Sequence, residues 1–367
     1  MKYKIEKFLN KYREFLYILH RKPLYGVMPA GAHCSVEDPT VDVTHGDIVH
    51  PCIRYIRNGF EGHKWWMVYT PYYGKNEKIE NPRLCYADTN EGELPTSWHF
   101  YCHIKETPDQ GYNSDPTILF SDNKLFVFWR ENNTTRTDKM GLTRATYGCS
   151  VKNKKVTYFD KPTLVETAVQ MDHEICPTVI ESLKEYKAYA IHVQFNPKWI
   201  FLFPETILRW IYKYKIIELL YLIFGSSRMK TFGVALWKGQ TIDETFQYVK
   251  TIPFKDVNRL YRPWHLDFFY NEEYPDNGRH LYSVIQSDEK FADICLAHYE
   301  NNCFRIYRKP LITGKSIGML GLYKPCGQIV HDTFYLFYTA RDNTDSKLNK
   351  MFVTSIPWKE LLKIMEE

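Results

Sequence analysis

Three observations in the sequence predict an all-β protein built as a five-bladed β-propeller. A proline, a short β-rich run, a polar turn and an aromatic-rich second strand follow one another five times, at Pro51, Pro116, Pro177, Pro263 and Pro325. The intervals between these prolines are 65, 61, 86 and 62 residues, nearly even once the third is credited with an insertion. Aromatic residues make up 16% of the 367 residues, and each second strand carries one in a comparable place: Trp66, Phe128, Tyr189, Tyr282 and Tyr335. Similar units at a period of about 60 residues point to radial repetition of short antiparallel sheets. Proline-then-strand patterns also recur by chance in all-β chains, and the even period argues against that reading.

The elements follow in chain order. Ile5, Phe8, Leu9, Tyr12, Phe15, Leu16 and Leu19 recur at helical spacing, with Lys4, Lys7, Lys11 and Arg13 off the stripe. This predicts a basic amphipathic helix over residues 1–22, ended by Pro23, and a linker to residue 35. The propeller then occupies residues 36–367. Its units read "HPCIRYI" into "KWWMVYTPYY", "DPTILF" into "KLFVFWRENN", "CPTVIES" into "YKAYAIHVQ", "RPWHLDFFYNE" into "HLYSVIQSDE", and "KPCGQIV" into "TFYLFYTARDN". Residues 196–230 break the strand pattern with a run rich in Ile, Leu, Trp and Tyr, predicting a helical insertion between blades 3 and 4. Glu205, Arg209, Lys213, Lys215 and Glu218 interrupt it too often for a membrane span. Two readings stay open for these helices: they cap the propeller, or residues 1–22 and 199–224 lie on a membrane surface.

Composition removes several functions. A net charge of +5, spread along the chain, does not argue for nucleic acid as the partner. Nine cysteines, odd in number and without a C-x-x-C pair, speak against a disulfide framework and a structural zinc site. They suggest a reducing cytoplasm, and the charged N-terminus is a poor signal peptide. No phosphate-cradling glycine loop, nucleophile elbow or H-E-x-x-H motif occurs, which leaves nucleotide and zinc-peptidase chemistry without local support.

The repeat itself proposes a site. In a propeller the innermost strand of every blade lines a central channel, so residues around the five prolines converge at one end. Those delivered there are Asp47 and His50, then Asp115, then Asp172, His173 and Glu174, then Arg262, His265 and Asp267, and Lys324 last. Carboxylates beside basic and imidazole groups in a cleft take split pKa values, which suits acid and base roles. Each residue also has a plainer reading: Asp115 as a turn former before proline, Glu174 as a solvated loop residue, His50 and His265 as hydrogen-bonded fillers.

With these residues in place, the chain resembles the five-bladed propeller glycosidases that include glycoside hydrolase family 43. "SDPTILFSDNKLFVFW" is similar to the opening of that family's second blade, and the likeness puts the acid-orienting Asp on Asp115. "HEICPTVI" resembles the third-blade opening, with spacing different by a residue, and puts the general acid on Glu174. The first blade departs, since His50 stands where the family has its basic Asp, with Asp47 three residues earlier. The stretch "WWMVYTPYYGKNEKIENPRLCYADTNEG" also looks like propeller proteins of bacterial polysaccharide loci and phages.

The resemblance implies a glycan-active enzyme, favouring a glycoside hydrolase on a bacterial surface polysaccharide or its intermediates. Glu174, Asp115 and Asp47 or His50 would be catalytic. Arg262, His265, Asp267, Trp264, Arg130, Lys324 and Tyr72 would bind substrate, with Trp65, Tyr73, Trp98 and Arg54 as further candidates at the rim. Stacking aromatics suit sugar faces, and the cations suit an acidic sugar or phosphate. A non-catalytic carbohydrate-binding propeller and a membrane-surface glycosyl transferase are the alternatives. No cofactor is expected, although the resemblance allows a calcium or sodium ion in the channel. The expected location is cytoplasmic, peripheral to the inner leaflet if the helices lie on lipid.

Overall fold

The computed structural model describes residues 25–90, 92–109, 111–133, 143–165, 172–182, 185–195, 229–255, 263–271, 280–287, 293–319, 321–342, 344–345 and 347–367. The expected N-terminal helix and almost all of the expected insertion lie outside these residues. What remains is nearly all β, a β-propeller of curled antiparallel meanders.

The first meander joins β2 (Val49–Phe60), β3 (His63–Thr70), β4 (Arg83–Ala87) and β5 (Ser97–His103), after β1 (Ala32–Glu37) and the one-turn helix α1 (Val41–Thr44). The second holds β6 (Tyr112–Ser121), β7 (Lys124–Asn133) and β8 (Thr143–Lys152), with β9 (Lys155–Tyr158) and β10 (Leu164–Val165) both on β8. The third runs through β11 (Asp172–Ser182), β12 (Glu185–Phe195), β13 (Met229–Gly239) and β14 (Gln247–Ile252). The fourth orders β15 (Phe254–Lys255) against β19 (Cys303–Thr313), then β18 (Asp293–Glu300), β17 (His280–Ser287) and β16 (Pro263–Asn271). After the short helix α2 (Gly314–Ile317), the last uses β20 (Pro325–Val330), β21 (Thr333–Arg341) and β22 (Asn349–Pro357), and helix α3 (Trp358–Glu366) follows.

Local chemistry sets the hairpins. Asp122-Asn123, Asn153-Lys154 and Asn301-Asn302 each join two strands with both residues at positive φ, the left-handed geometry that matches strand twist. Asn and Asp tolerate that region because their short side chains bond locally. The second-strand aromatics Trp66, Phe128, Tyr189, Tyr282 and Tyr335 are all buried, as their recurring place predicts.

The meanders close on themselves. β2 touches β6, β6 touches β11, β11 touches β16, β16 touches β20, and β20 touches β2. Apolar residues fill the wedge between each neighbouring pair, for example Trp66 and Trp129 between the first and second meanders. Trp65, Trp98 and Phe337 do so between the first and last. Trp65 and Trp98 are therefore core residues, which removes them from the expected rim. β1 bridges the last and first meanders, antiparallel to β22 at Ala32↔Val353 and parallel to β5 at Ser35↔Ser97. The sheet thus begins inside the stretch expected to be a linker, because an edge strand must come from somewhere to seal the ring.

The insertion also sits elsewhere than expected. Residues 196–228 join β12 to β13 within one sheet, with Phe195 paired to Met229, instead of separating blades 3 and 4. A hairpin whose ends are already paired accepts a long connection because closure entropy rises only logarithmically with length.

Candidate active site at one end of the channel

His50, Asp115 and Cys176 each stand directly before a proline on an innermost strand, at φ of 53°, 50° and 55°. Strand register breaks at each, between Val49 and Cys52, Ser114 and Thr117, and Ile175 and Thr178. Proline donates no ladder hydrogen bond, so each strand bulges there and re-aims the preceding side chain. A non-glycine residue in the left-handed region costs about 1–2 kcal/mol, and such strain gathers at functional sites. β16 breaks register between Pro263 and His265, and it is His265 that joins the other three.

These residues meet in one buried cluster around Asp115. Asp115 Oδ2 pairs with Arg130 Nη2 at 2.8 Å. Its Oδ1 lies 2.9 Å from Cys176 Sγ, 3.6 Å from His50 Nε2 and 3.9 Å from His265 Nδ1. Cys176 Sγ also bonds His265 Nδ1. On the far side of its ring, His50 Nδ1 lies 3.1 Å from Thr70 Oγ1 and 3.3 Å from Glu80 Oε1. Tyr323 packs on both imidazoles, with ring centroids 4.2 Å from His265 and 5.2 Å from His50. Lys324 Nζ donates to the Pro116 carbonyl at 3.1 Å.

Burial governs the charge states. It would raise the Asp115 pKa, but Arg130 and then the surrounding His50, Lys324 and His265 outweigh it and hold the carboxyl well below its usual range. Burial followed by repulsion from Asp115 drives Glu80 the other way, well above the usual value. Burial lowers His50 to about 4 and His265 well below 6.5, so both rings are neutral at pH 7. Burial and Asp115 push the Cys176 thiol well above its usual value. Two carboxyl groups with opposed pKa values, either side of one neutral histidine, form a polarised site.

A second layer lies alongside. Arg54 grips Asp267 bidentately at 2.8 and 2.9 Å, and Cys326 Sγ donates to the same carboxylate at 2.9 Å. Ligand-type atoms of Cys52, Asp267 and Cys326 lie within 4.8 Å of one another, as do those of His50, Asp115 and His265.

Of the residues expected here, the structure brings His50, Asp115, Arg130, His265 and Lys324 together. Trp264 and Tyr72 are half-buried, and the Trp264 ring meets His265 edge-on. Asp267 and Arg54 neutralise each other in the second layer. Asp47 is tied to loops: its carboxylate accepts from Tyr72 N at 2.6 Å, Asn349 N at 2.6 Å and Asn349 Nδ2 at 3.0 Å. Burial nevertheless raises it to about 6. Arg262 lies outside the described residues, as does the Glu174 side chain. The Glu174 backbone pairs with His192 on the strand that carries Cys176. Cys176, Glu80, Thr70 and Tyr323 were not anticipated. Cys176 had a signal, since it occupies the pre-proline place of its repeat; Glu80, on the loop after a 3-10 turn, had none.

No family model matches the chain, and no curated protein matches it. Solved structures do. A crystal structure of an N-acetylgalactosamine deacetylase from F. plautii, in complex with blood group B trisaccharide, has 13% identity and a TM-score of 0.62, covering 94% of this chain and 96% of that one. A xylan β-1,4-xylosidase from Bacillus halodurans has 9% identity and a TM-score of 0.55, covering 92% of this chain and 55% of that one. A GH43_1 enzyme from Xanthomonas citri complexed with xylotriose has 9% identity and a TM-score of 0.54, covering 89% and 90%. Identities this low establish architecture alone, and that architecture is the propeller shared with solved family 43 glycosidases.

Proposed function

We propose that this protein is a five-bladed propeller that hydrolyses a glycan, a bacterial surface polysaccharide or one of its intermediates, at the end of the channel marked by Asp115. The observation that carries this reading is the convergence of strained pre-proline residues from three innermost strands on one buried, polarised cluster. The closed circuit of first strands supports the count of five blades. Glycan hydrolysis needs a proton donor and a group that activates water or attacks. In this reading Asp115, kept ionised by Arg130, orients a donor carboxyl, the role we give Glu174. The neutral His50 ring, backed by Thr70 and Glu80, stands in the base position. Trp264 and Tyr72 offer faces for a sugar to stack on.

Asp115→Asn tests it. On a panel of bacterial oligosaccharides and aryl glycosides the variant should fold, bind substrate within a few-fold of the parent, and lose at least about 100-fold in kcat. Unchanged turnover in the variant, or no turnover and no binding by the parent on the whole panel, overturns the reading.

A second reading is favoured by His50 itself, a histidine where two-carboxylate cleavage of a glycosidic bond places an acid. A site of that kind suits hydrolysis of an acyl substituent on the sugar, the reaction class named for the F. plautii enzyme. The same panel separates the two, because glycosidic cleavage creates new reducing ends and deacylation releases a carboxylic acid.

A further inference from the structure

We infer that the channel cluster is a binding site for a transition-metal ion of the zinc class, held by His50 Nε2, Asp115 Oδ1 and His265 Nδ1. The first argument is hydrogen-bond bookkeeping. Thr70 Oγ1 donates to the Val49 carbonyl at 3.4 Å, so it can accept from His50 Nδ1–H. In that tautomer His50 Nε2 presents a lone pair toward Asp115 Oδ1 at 3.6 Å. His265 Nδ1 faces the same oxygen at 3.9 Å. Two imidazole nitrogens and a carboxylate oxygen directed at one point suit a cation.

The geometry agrees. Zinc bonds of about 2.0–2.3 Å in a tetrahedron set donor atoms about 3.3–3.8 Å apart. Asp115 Oδ1 stands 3.6 and 3.9 Å from the two imidazole nitrogens, and the ligand atoms of the three residues lie within 4.8 Å of one another. The donors come from three different innermost strands, β2, β6 and β16, so one ion ties three meanders. Glu80 and Thr70 behind His50 reproduce the outer partners that fix a ligating imidazole. Arg130 takes the other Asp115 oxygen and Lys324 a backbone carbonyl, so neither cation occupies the point of convergence. The Asp115 carboxylate supplies the anionic ligand.

The donor set decides which ion. Calcium takes six to eight oxygens, and here one carboxylate oxygen and two imidazole nitrogens converge, which does not fit calcium or sodium. Two imidazoles with one carboxylate suit zinc and its neighbours in the first transition row. The neighbouring Cys52, Asp267 and Cys326 group holds no such place, because Arg54 already supplies its cation.

This inference shares its residues with the active site proposed above and rests on the second reading there, since a ligating His50 Nε2 is not free to act as a base; metal content is read independently of turnover. The full chain, purified without chelator, should retain about one zinc-class ion by elemental analysis. Exchange for cobalt(II) should give d–d bands. His50→Ala and His265→Ala should each weaken zinc binding at least tenfold. A folded chain that binds neither zinc nor cobalt overturns the inference, as does zinc affinity unchanged by His265→Ala. Metal bound without turnover on any glycan would sink the functional reading and leave this one; full turnover in a metal-free chain would do the reverse.

Discussion

Asp38 shows how single residues divide between site and scaffold. Its carboxylate accepts from Tyr69 Oη at 2.6 Å and from Thr40 N and Oγ1 at 2.7 Å, and it pairs with Arg83 Nη1 at 3.1 Å. Burial works to raise its pKa, but these bonds and the Arg83 charge outweigh it and lower it. The unfolded chain, with an ordinary carboxyl near 3.9, therefore binds more protons than the native one, so stability rises with pH across that window. Folding free energy should be fully present above pH 5 and fall as pH drops through about 4. Asp38→Asn should cost about 1–3 kcal/mol at pH 7 and flatten this acid limb. Urea unfolding at pH 7 and pH 3.5 checks both, and an equal acid loss in the variant counts against the account. Asp47 belongs to the same scaffolding class, as three donated hydrogen bonds engage it with loops. Asp115 differs, because among the described residues its Oδ1 faces the Cys176 thiol and the His50 and His265 rings.

At the scale of the element, the bulge is the device that builds the channel, and β13 carries one that needs glycine. Register slips between His192 and Val193, and Gly233 opposite adopts φ of +151°. A Cβ there would lie 2.1 Å from the Ile252 carbonyl oxygen on the adjoining β14. Backbone cannot yield as a side-chain tip can, so Gly233→Ala should destabilise by more than about 2 kcal/mol. Gly62, at φ of +89° with nothing near its added Cβ, is the control for conformational strain alone. Chemical denaturation of both variants separates the two costs; equal losses would mean the close approach to β14 is unimportant.

For the whole molecule, closure rests on β1, which hydrogen-bonds to the edges of both the first and the last meanders. Its pairing is supported by packing, with Cys34 buried among Trp98, Phe337 and Met351. Deleting residues 1–37 should expose the β22 and β5 edges together, lower the melting midpoint by several degrees and raise the tendency to associate through open edges. Calorimetry and gel filtration would show it. A truncated chain with the parent's midpoint would place closure elsewhere, for instance in the wedge cores alone. The C-terminal helix α3 adds to this by packing Trp358, Leu361 and Met365 against the last two meanders.

The repeat of prolines, turns and aromatics was legible because it is written in local chemistry: proline removes a ladder donor, Asn and Asp accept left-handed turns, aromatics pack on sheets. From those rules the sequence by itself determined an all-β chain of repeated meanders and the buried second-strand aromatics, and it proposed the pre-proline positions as candidate site residues. It could not say which side chains would meet. The bonds that make the site join residues far apart in the chain, 61 for Cys176 to Asp115, 89 for Cys176 to His265 and 213 for Arg54 to Asp267. Each depends on how the ring closes and how deep each strand sits, and no local periodicity encodes that. So only the tertiary structure decided that Arg54 would neutralise Asp267, that Asp47 would serve a loop, that the insertion would extend a hairpin, and that a thiol and two imidazoles would converge on the carboxylate of Asp115.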